Sequence, residues 1–467
     1  MSAAARLAQL LLVLLAAVGA VAGLAWATGQ IGVLDHDDRA GETAQVEHAE
    51  PARAPASASP SEQKLPTAAP SSGGETPARV ARYAVCGREE APARLFALPS
   101  HQAGGSLWAV SCGATAHVIA IEAEQGILLA RRVARLSLPS PSPDRAPRSA
   151  PIALLPADGA WLVTTLRVDR NGSPAGGALF RVPLEAGDLF GTASRVHDAA
   201  PGALAIATLD RAPGQDFALL QLGDPRVAHP GELWLFSGGA APLRIARRAV
   251  DPDAFALVAS DLDGDGSDEL AVLARSGRAT LHSASETVAP VTVAAPGGEG
   301  AYALDVDGDG KREIVIGGAH AQRLELSGNK EETGVRQVVA VPVPSLDGLR
   351  DLVEVDADAD GRLDIAGYAH PRVVTIAGKS GAAGARRNLF ELSGEGFAVL
   401  HVVPTELDGD GRMDLIALIA SENNDPQIEL MIATGPPDIA AVEARIRIPS
   451  GGNELRNAPL MRELELR

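Results

Sequence analysis

The C-terminal half of this chain alternates between short apolar runs and acidic, glycine-rich turns, and the runs come in pairs. Phe255–Val258 is followed across a polar loop by Leu270–Leu273, Ala301–Leu304 by Ile314–Ile316, Leu352–Val355 by Ile365–Ala366, and His401–Val403 by Leu415–Ala417. Apolar runs of this length bounded by Gly and Asp predict β-strands, so each polar loop is predicted to connect a hairpin. Upstream the pattern fades. Thr208-Leu209-Asp210 through Asp216-Phe217-Ala218-Leu219 keeps the flanking strands and two acids but lacks central carboxylates. Ile152–Leu155 and Trp161–Val163 bracket Ala157-Asp158-Gly159, and Ser106–Val110 and His117–Ile121 are strand-like with no acidic loop between them.

Counted this way, seven units lie between about residues 90 and 450. Units repeating at roughly 20–50 residues indicate an array or a propeller, and radially repeated four-stranded sheets close into rings of about 4–8 blades. The predicted fold is therefore all-β: a β-propeller of seven blades, each a four-stranded antiparallel sheet. Six or eight blades stay open because the first three units are faint. Hydrophobic content of 46% allows a sizeable core, but aromatic content of 3% requires it to be built from Val, Leu, Ile and Ala. Trp108, Trp161 and Trp234 are expected in that core.

The polar loops carry the chemistry. They read Asp261-Leu262-Asp263-Gly264-Asp265-Gly266, Asp305-Val306-Asp307-Gly308-Asp309-Gly310, Asp356-Ala357-Asp358-Ala359-Asp360-Gly361 and Glu406-Leu407-Asp408-Gly409-Asp410-Gly411, starting at intervals of 44, 51 and 50 residues. Together these loops hold −13 of the net charge of −18. Carboxylates at alternate positions repel one another unless a cation joins them, and Ca²⁺ is a hard ion that takes about 6–8 oxygens in irregular geometry. The alternative is a set of Asx-turns without an ion, since Asp and Gly are ordinary turn formers; it does not explain why the carboxylates alternate in four copies. An EF-hand is excluded, because position twelve is Val272, Ile316, Gly367 or Ala417 instead of Glu, and strands flank the loop where helices are needed.

Asp261–Leu273, Asp305–Ile316, Asp356–Ala366 and Glu406–Ala417 resemble the FG-GAP/VCBS repeat family, the calcium-loop repeats of integrin-α-like propellers, with the pattern D-x-D-G-D-G-x-x-D-L-x-V. The resemblance implies a seven-bladed ring and Ca²⁺ at three to four loops. The implied ligands are the side chains at positions one, three, five and nine and the backbone carbonyl at position seven. These are Asp261, Asp263, Asp265, Glu269 and the carbonyl of Ser267; Asp305, Asp307, Asp309, Glu313 and the carbonyl of Lys311; Asp356, Asp358, Asp360, Asp364 and the carbonyl of Arg362; and Glu406, Asp408, Asp410, Asp414 and the carbonyl of Arg412. The chain departs from the pattern at Glu269 and Glu313 (Glu for Asp), at Glu406 (Glu for Asp) and at Ala359 (Ala for Gly). Glu still ligates, so the departures bear on affinity more than on binding.

The N-terminus predicts export. Leu10–Ala27 is an uncharged run of 18 residues after a short positive segment, and Ala25-Trp26-Ala27 offers a cleavage site. The same run reaches the lower limit for a spanning helix, so residues 1–34 read as a signal peptide or an N-terminal membrane anchor. Either places the remainder outside the cytoplasm, secreted or tethered at a cell surface or envelope. Residues 35–78, rich in Ala, Pro, Ser, Glu and Gly, read as a disordered linker, and 79–467 as the propeller, with the clear calcium repeats over 255–420. Leu136–Ser149 is expected to be a surface loop. In an exported chain the two cysteines, Cys86 and Cys112, are expected to form a disulfide.

No basic run is available to neutralise phosphates, which argues against nucleic acid. No nucleophile elbow, HExxH, P-loop or dinucleotide fingerprint is present. His370 and His401 sit close to repeats, but a lone His beside a strand is usually surface or packing. The residues therefore favour a non-catalytic module that binds a protein or glycan ligand in adhesion or surface interaction. Two alternatives remain: a propeller hydrolase or lyase with a channel lined by His, Arg and carboxylates from several blades, and a purely structural envelope domain.

Overall fold

The computed structural model describes residues 79–465, apart from 88–93, 99–104, 113–114, 125–126, 138–147, 158, 169–173, 186–188, 200, 211–213, 240–241, 285–287, 328–336, 358–360, 377–385, 408–412, 422–426, 435–443 and 448–452. Residues 1–34, expected to direct export, residues 35–78, expected to be a linker, and most of the expected loop Leu136–Ser149 lie outside the described residues.

Seven antiparallel sheets form seven blades. The inner strands are Arg94–Leu98, Arg148–Ala157, Pro201–Ala207, Ala254–Ser260, Gly298–Leu304, Arg350–Val355 and Phe397–Thr405. Each touches the inner strand of the next blade, and the first and seventh meet to close the ring. The described residues contain no helix beyond a single 3-10 turn at Pro344–Leu346. The seven-bladed expectation is met, with one adjustment of phase: Ser106–Val110 and His117–Ile121 belong to the second and third strands of the first blade, whose inner strand is Arg94–Leu98.

Hydrophobic residues are sorted into seven clusters, one at each junction of neighbouring blades. The second strand of a blade supplies two of them at once. Leu270 and Val272 face the third blade, whereas Ala271 and Leu273 face the fifth. A strand covered on both faces must be apolar at consecutive positions, which accounts for Leu270–Leu273, Ile314–Ile316 and Leu415–Ile419. The three tryptophans expected in the core are there: Trp161 is fully buried, and Trp108 and Trp234 nearly so. In the second to seventh blades the inner strand carries a register irregularity near its start, for example between Ala254 and Ala256 and between Gly298 and Gly300. This shared bulge marks the faint second and third units as true copies.

Closure uses both ends of the described chain. Val80–Gly87 pairs antiparallel with Gln427–Ala433 and completes the seventh blade. Arg82 and Glu429 form a buried ion pair within that seam. Cys86 and Cys112 are disulfide-bonded, joining the outer strand of the seventh blade to the second strand of the first. The C-terminal segment then runs along three outer edges as an added parallel strand: Ala444–Arg447 on the sixth blade, Asn453–Glu454 on Val80–Gly87, and Arg456–Glu465 on the first.

Buried histidines cost the fold, and His282 is one of them. His282 is 1% exposed, and neither ring nitrogen has a hydrogen-bond partner among the described residues. Burial, with Arg248 adding to it, pulls its pKa down to about 4. The unfolded chain takes up this proton below about pH 6.5, so stability should fall as pH drops from there to about 4, by roughly 3 kcal/mol in the limit. His282→Leu should make the acid side of the stability–pH curve shallower, with the contribution of buried His117 left in place, and raise the melting temperature at pH 5. Thermal melts between pH 4 and 8 check this.

Candidate metal centres

Each acidic loop joins the inner strand of a blade to its second strand, so all of them lie at the same ends of their blades. In the fourth blade Asp261, Asp263 and Asp265 bring carboxylate oxygens within 4.8 Å of one another, and in the fifth Asp305, Asp307, Asp309 and Glu313 do the same. The two loops are built alike. Position six donates its N–H to Oδ2 of position one: Gly266 to Asp261 at 2.9 Å, Gly310 to Asp305 at 2.8 Å, and in the sixth blade Gly361 to Asp356 at 2.9 Å. Position five donates to Oδ1 of position one, at 3.1 Å in both the fourth and fifth blades. The glycines at position six have φ of +86°, +86° and +80°, a conformation that glycine adopts without Cβ strain. The loop therefore folds its backbone around the first carboxylate and turns the others inward.

Position nine has a second task. Glu269 accepts the N–H of Leu262 at 3.0 Å, Glu313 that of Val306 at 2.8 Å, and Asp414 that of Leu407 at 2.9 Å. Asp216 does the same in the third blade, accepting from Leu209 at 2.9 Å and Asp210 at 3.0 Å, while its other oxygen accepts from Gly238 at 2.7 Å. The worn copy has thus lost its central acids but kept this buried one. In the fourth blade Glu269 lies outside the carboxylate triad, whereas in the fifth Glu313 lies inside the group of four. Burial raises the Glu313 pKa, and the charges of Asp307 and Asp305 add to the rise against the Val306 N–H. Asp358, Asp360, Asp408, Asp410 and Arg412 lie outside the described residues; Asp356, Asp364, Glu406 and Asp414 are described at the ends of their loops.

The donor set suits a hard divalent cation. Three or four carboxylates held this close repel by about 1 kcal/mol per pair even at the dielectric of water, and by more where they are sheltered. Oxygen donors alone, without His or Cys, are what Ca²⁺ takes. Arg323 supplies part of the balance in the fifth blade, with Nη1 3.1 Å from Asp307.

Neighbouring loops are also tied together by residues that the repeat pattern did not single out. Asp268 accepts the N–H of Thr208 at 2.6 Å and donates its own to the Thr208 carbonyl at 2.7 Å. Ser260 donates to the Arg312 carbonyl, the Arg312 side chain reaches Glu354 at 2.6 Å, and Glu354 accepts the N–H of Asp305 at 2.7 Å. The third to sixth blades are linked through these bonds.

A second polar cluster sits on the inner strands. Asp351 adopts φ of +54°, a left-handed conformation uncommon outside glycine. Its N–H donates to the Tyr302 hydroxyl at 3.2 Å, its Oδ2 accepts from Val402 N–H at 3.2 Å, and its Oδ1 lies 3.2 Å from His401 Nε2. Burial pushes Tyr302 up to about 12, raises Asp351 and lowers His401. Arg350 stacks its guanidinium 5.0 Å from the Tyr368 ring. This is the His, Arg and carboxylate set from several blades that a propeller enzyme would need. However, Nδ1 of His401 is closed to solvent and has no partner among the described residues. A general base must reach the proton it removes, so the cluster reads as a joint between the fifth, sixth and seventh blades. Sequence alone passed over Asp351 because a left-handed Asp inside a strand leaves no pattern.

No family model and no curated protein matches the chain. Among solved structures it is similar to a lectin of Agrocybe aegerita that recognises non-reducing terminal N-acetylglucosamine, at 12% identity, covering 77% of this chain and 90% of that one with a TM-score of 0.41. A likeness this distant says nothing about the ligand of the present chain.

The two roles of position nine can be separated. Asp216→Ala strands three amides at a buried site and should cost about 2–4 kcal/mol, with bound calcium per chain unchanged. Glu313→Ala should lower stability and also weaken one calcium site. Chemical denaturation alongside calcium titration reads both.

Proposed function

We propose that this chain is an exported propeller of the FG-GAP/VCBS type, whose acidic loops hold structural Ca²⁺ and whose surface presents a binding site to a protein or glycan ligand. The observation that carries the calcium reading is the matched pair of loops that gather three and four carboxylates within 4.8 Å. When bound, Ca²⁺ supplies the positive charge that these carboxylates lack. The chain's own residues do the rest: Asp261 and Asp305 shape the turn, Asp263, Asp265, Asp307 and Asp309 provide oxygens, and Glu313 adds one from the start of the second strand.

Export is supported by the apolar N-terminal run and by the disulfide at the ring seam, which persists only in an oxidising compartment. A binding role is favoured over catalysis because the His401–Asp351 pair, the one His–carboxylate ion pair among the described residues, has its second nitrogen sealed. It is favoured over a purely structural role because a cavity into which His370, Arg372, Arg386 and Asn388 bring polar groups opens beside the sixth blade.

Asp263→Ala combined with Asp265→Ala should remove about one bound Ca²⁺ per chain and lower the melting temperature in calcium. An unchanged stoichiometry would refute the assignment of the first loop.

A further inference from the structure

We propose that the cavity beside the sixth blade binds an acidic sugar residue through its carboxylate. The proposal rests on the reading of the domain as a binding module and gives that module a ligand class. The cavity measures about 540 Å³ and is lined by Ala369, His370, Pro371, Arg372, Arg386 and Asn388. That volume is in the range of small-ligand sites. The lining inverts the charge of the molecule: in a chain of net charge −18, two guanidiniums and an imidazole line the space and, among the described residues, no carboxylate does.

The cations are disposed to receive an anion. Arg372 opens the third strand of the blade, and its guanidinium has no hydrogen-bond or ion-pair partner among the described residues, although Glu391 lies opposite it in the strand register. Arg386 is held in place: Nε donates to the Ser345 carbonyl at 2.8 Å, and Nη2 donates to the carbonyls of Pro344 and Asp347. Its Nη1 has no acceptor among the described residues. His370 is oriented by a 2.9 Å hydrogen bond between Nδ1 and the hydroxyl of buried Tyr368, which leaves Nε2 as its remaining polar atom. One anchored guanidinium and one with no partner among the described residues suit the planar, bidentate geometry of a carboxylate. Asn388 and His370 Nε2 add groups that can exchange hydrogen bonds with sugar hydroxyls.

The fold disfavours the peptide alternative at this place. An extended peptide gains its affinity by adding a strand to an open sheet edge. The outer edge of the sixth blade is already covered, because Ala444–Arg447 pairs in parallel with Phe390–Ser393. What stays accessible is a compact cavity.

The test is calorimetric titration of the full chain in calcium buffer with four probes: a glucuronate-containing disaccharide, the same disaccharide with its carboxyl reduced to an alcohol, that reduced disaccharide carrying one sulfate ester, and a glutamate-rich hexapeptide. The glucuronate probe should bind at least about tenfold more tightly than each of the others, as expected when one bidentate charged contact is removed. Arg372→Met should lose about tenfold for the glucuronate probe with its melting temperature unchanged, since the side chain is exposed. Equal binding of the glucuronate and reduced probes, or an unchanged affinity in Arg372→Met, would overturn the proposal. Tighter binding of the sulfated probe would overturn the carboxylate, and tighter binding of the peptide would overturn the sugar. No binding by protein that still melts higher in calcium would overturn this site while leaving the calcium reading intact.

Discussion

A buried carboxylate at the start of the second strand is the constraint on which the acidic face of this propeller depends. Asp216, Glu269 and Asp414 are each at most 3% exposed, at the mouth of a core otherwise made of Leu, Ile, Val and Ala. A charge in such a place persists only where donors or a cation compensate it. Each of them accepts the N–H seven residues earlier in sequence, which fixes the second residue of the loop against the blade. With that residue fixed, the remaining turn is short enough for its glycines to bring the first, third and fifth carboxylates together. The core thus dictates the shape of the loop, and the loop's charge dictates the kind of ion it can hold.

The ring itself rests on a different economy. Every blade is a thin sheet that buries both faces of its second strand against two neighbours, so no blade is stable apart from the ring. The weak point of such a ring is its seam, and three independent bonds meet there. The N-terminal strand pairs into the seventh blade, the Cys86–Cys112 disulfide crosses to the first, and the C-terminal segment straps the outer edges of the sixth, seventh and first. Covered edges also remove the unpaired strand edges at which other chains could add.

Much of this was legible in the sequence because the physics that makes it is local. Paired apolar runs around Asp261 and Asp305 announce hairpins, and the doubly buried second strands appear as unbroken apolar stretches. The seven-residue spacing from Leu209 to Asp216, shared with Leu262–Glu269, was available as a signal for the third blade. What the sequence did not disclose is made of long-range contacts. Nothing near Val80–Gly87 says that it pairs with Gln427–Ala433, and Arg456–Glu465 has no repeat partner because it is added to a finished blade. His370 and His401 looked alike as isolated histidines. Only the fold sends one to the cavity beside Arg372 and the other to the sealed pair with Asp351.

The central claim, that the acidic loops are structural calcium sites, is tested most directly by thermal unfolding of the chain in calcium and after chelation, with bound Ca²⁺ counted on the same sample. The account predicts a large upward shift in melting temperature with calcium and about three to four ions per chain. Equal melting temperatures with no bound metal would contradict it, and would leave the loops as hydrogen-bonded turns on an intact seven-bladed ring.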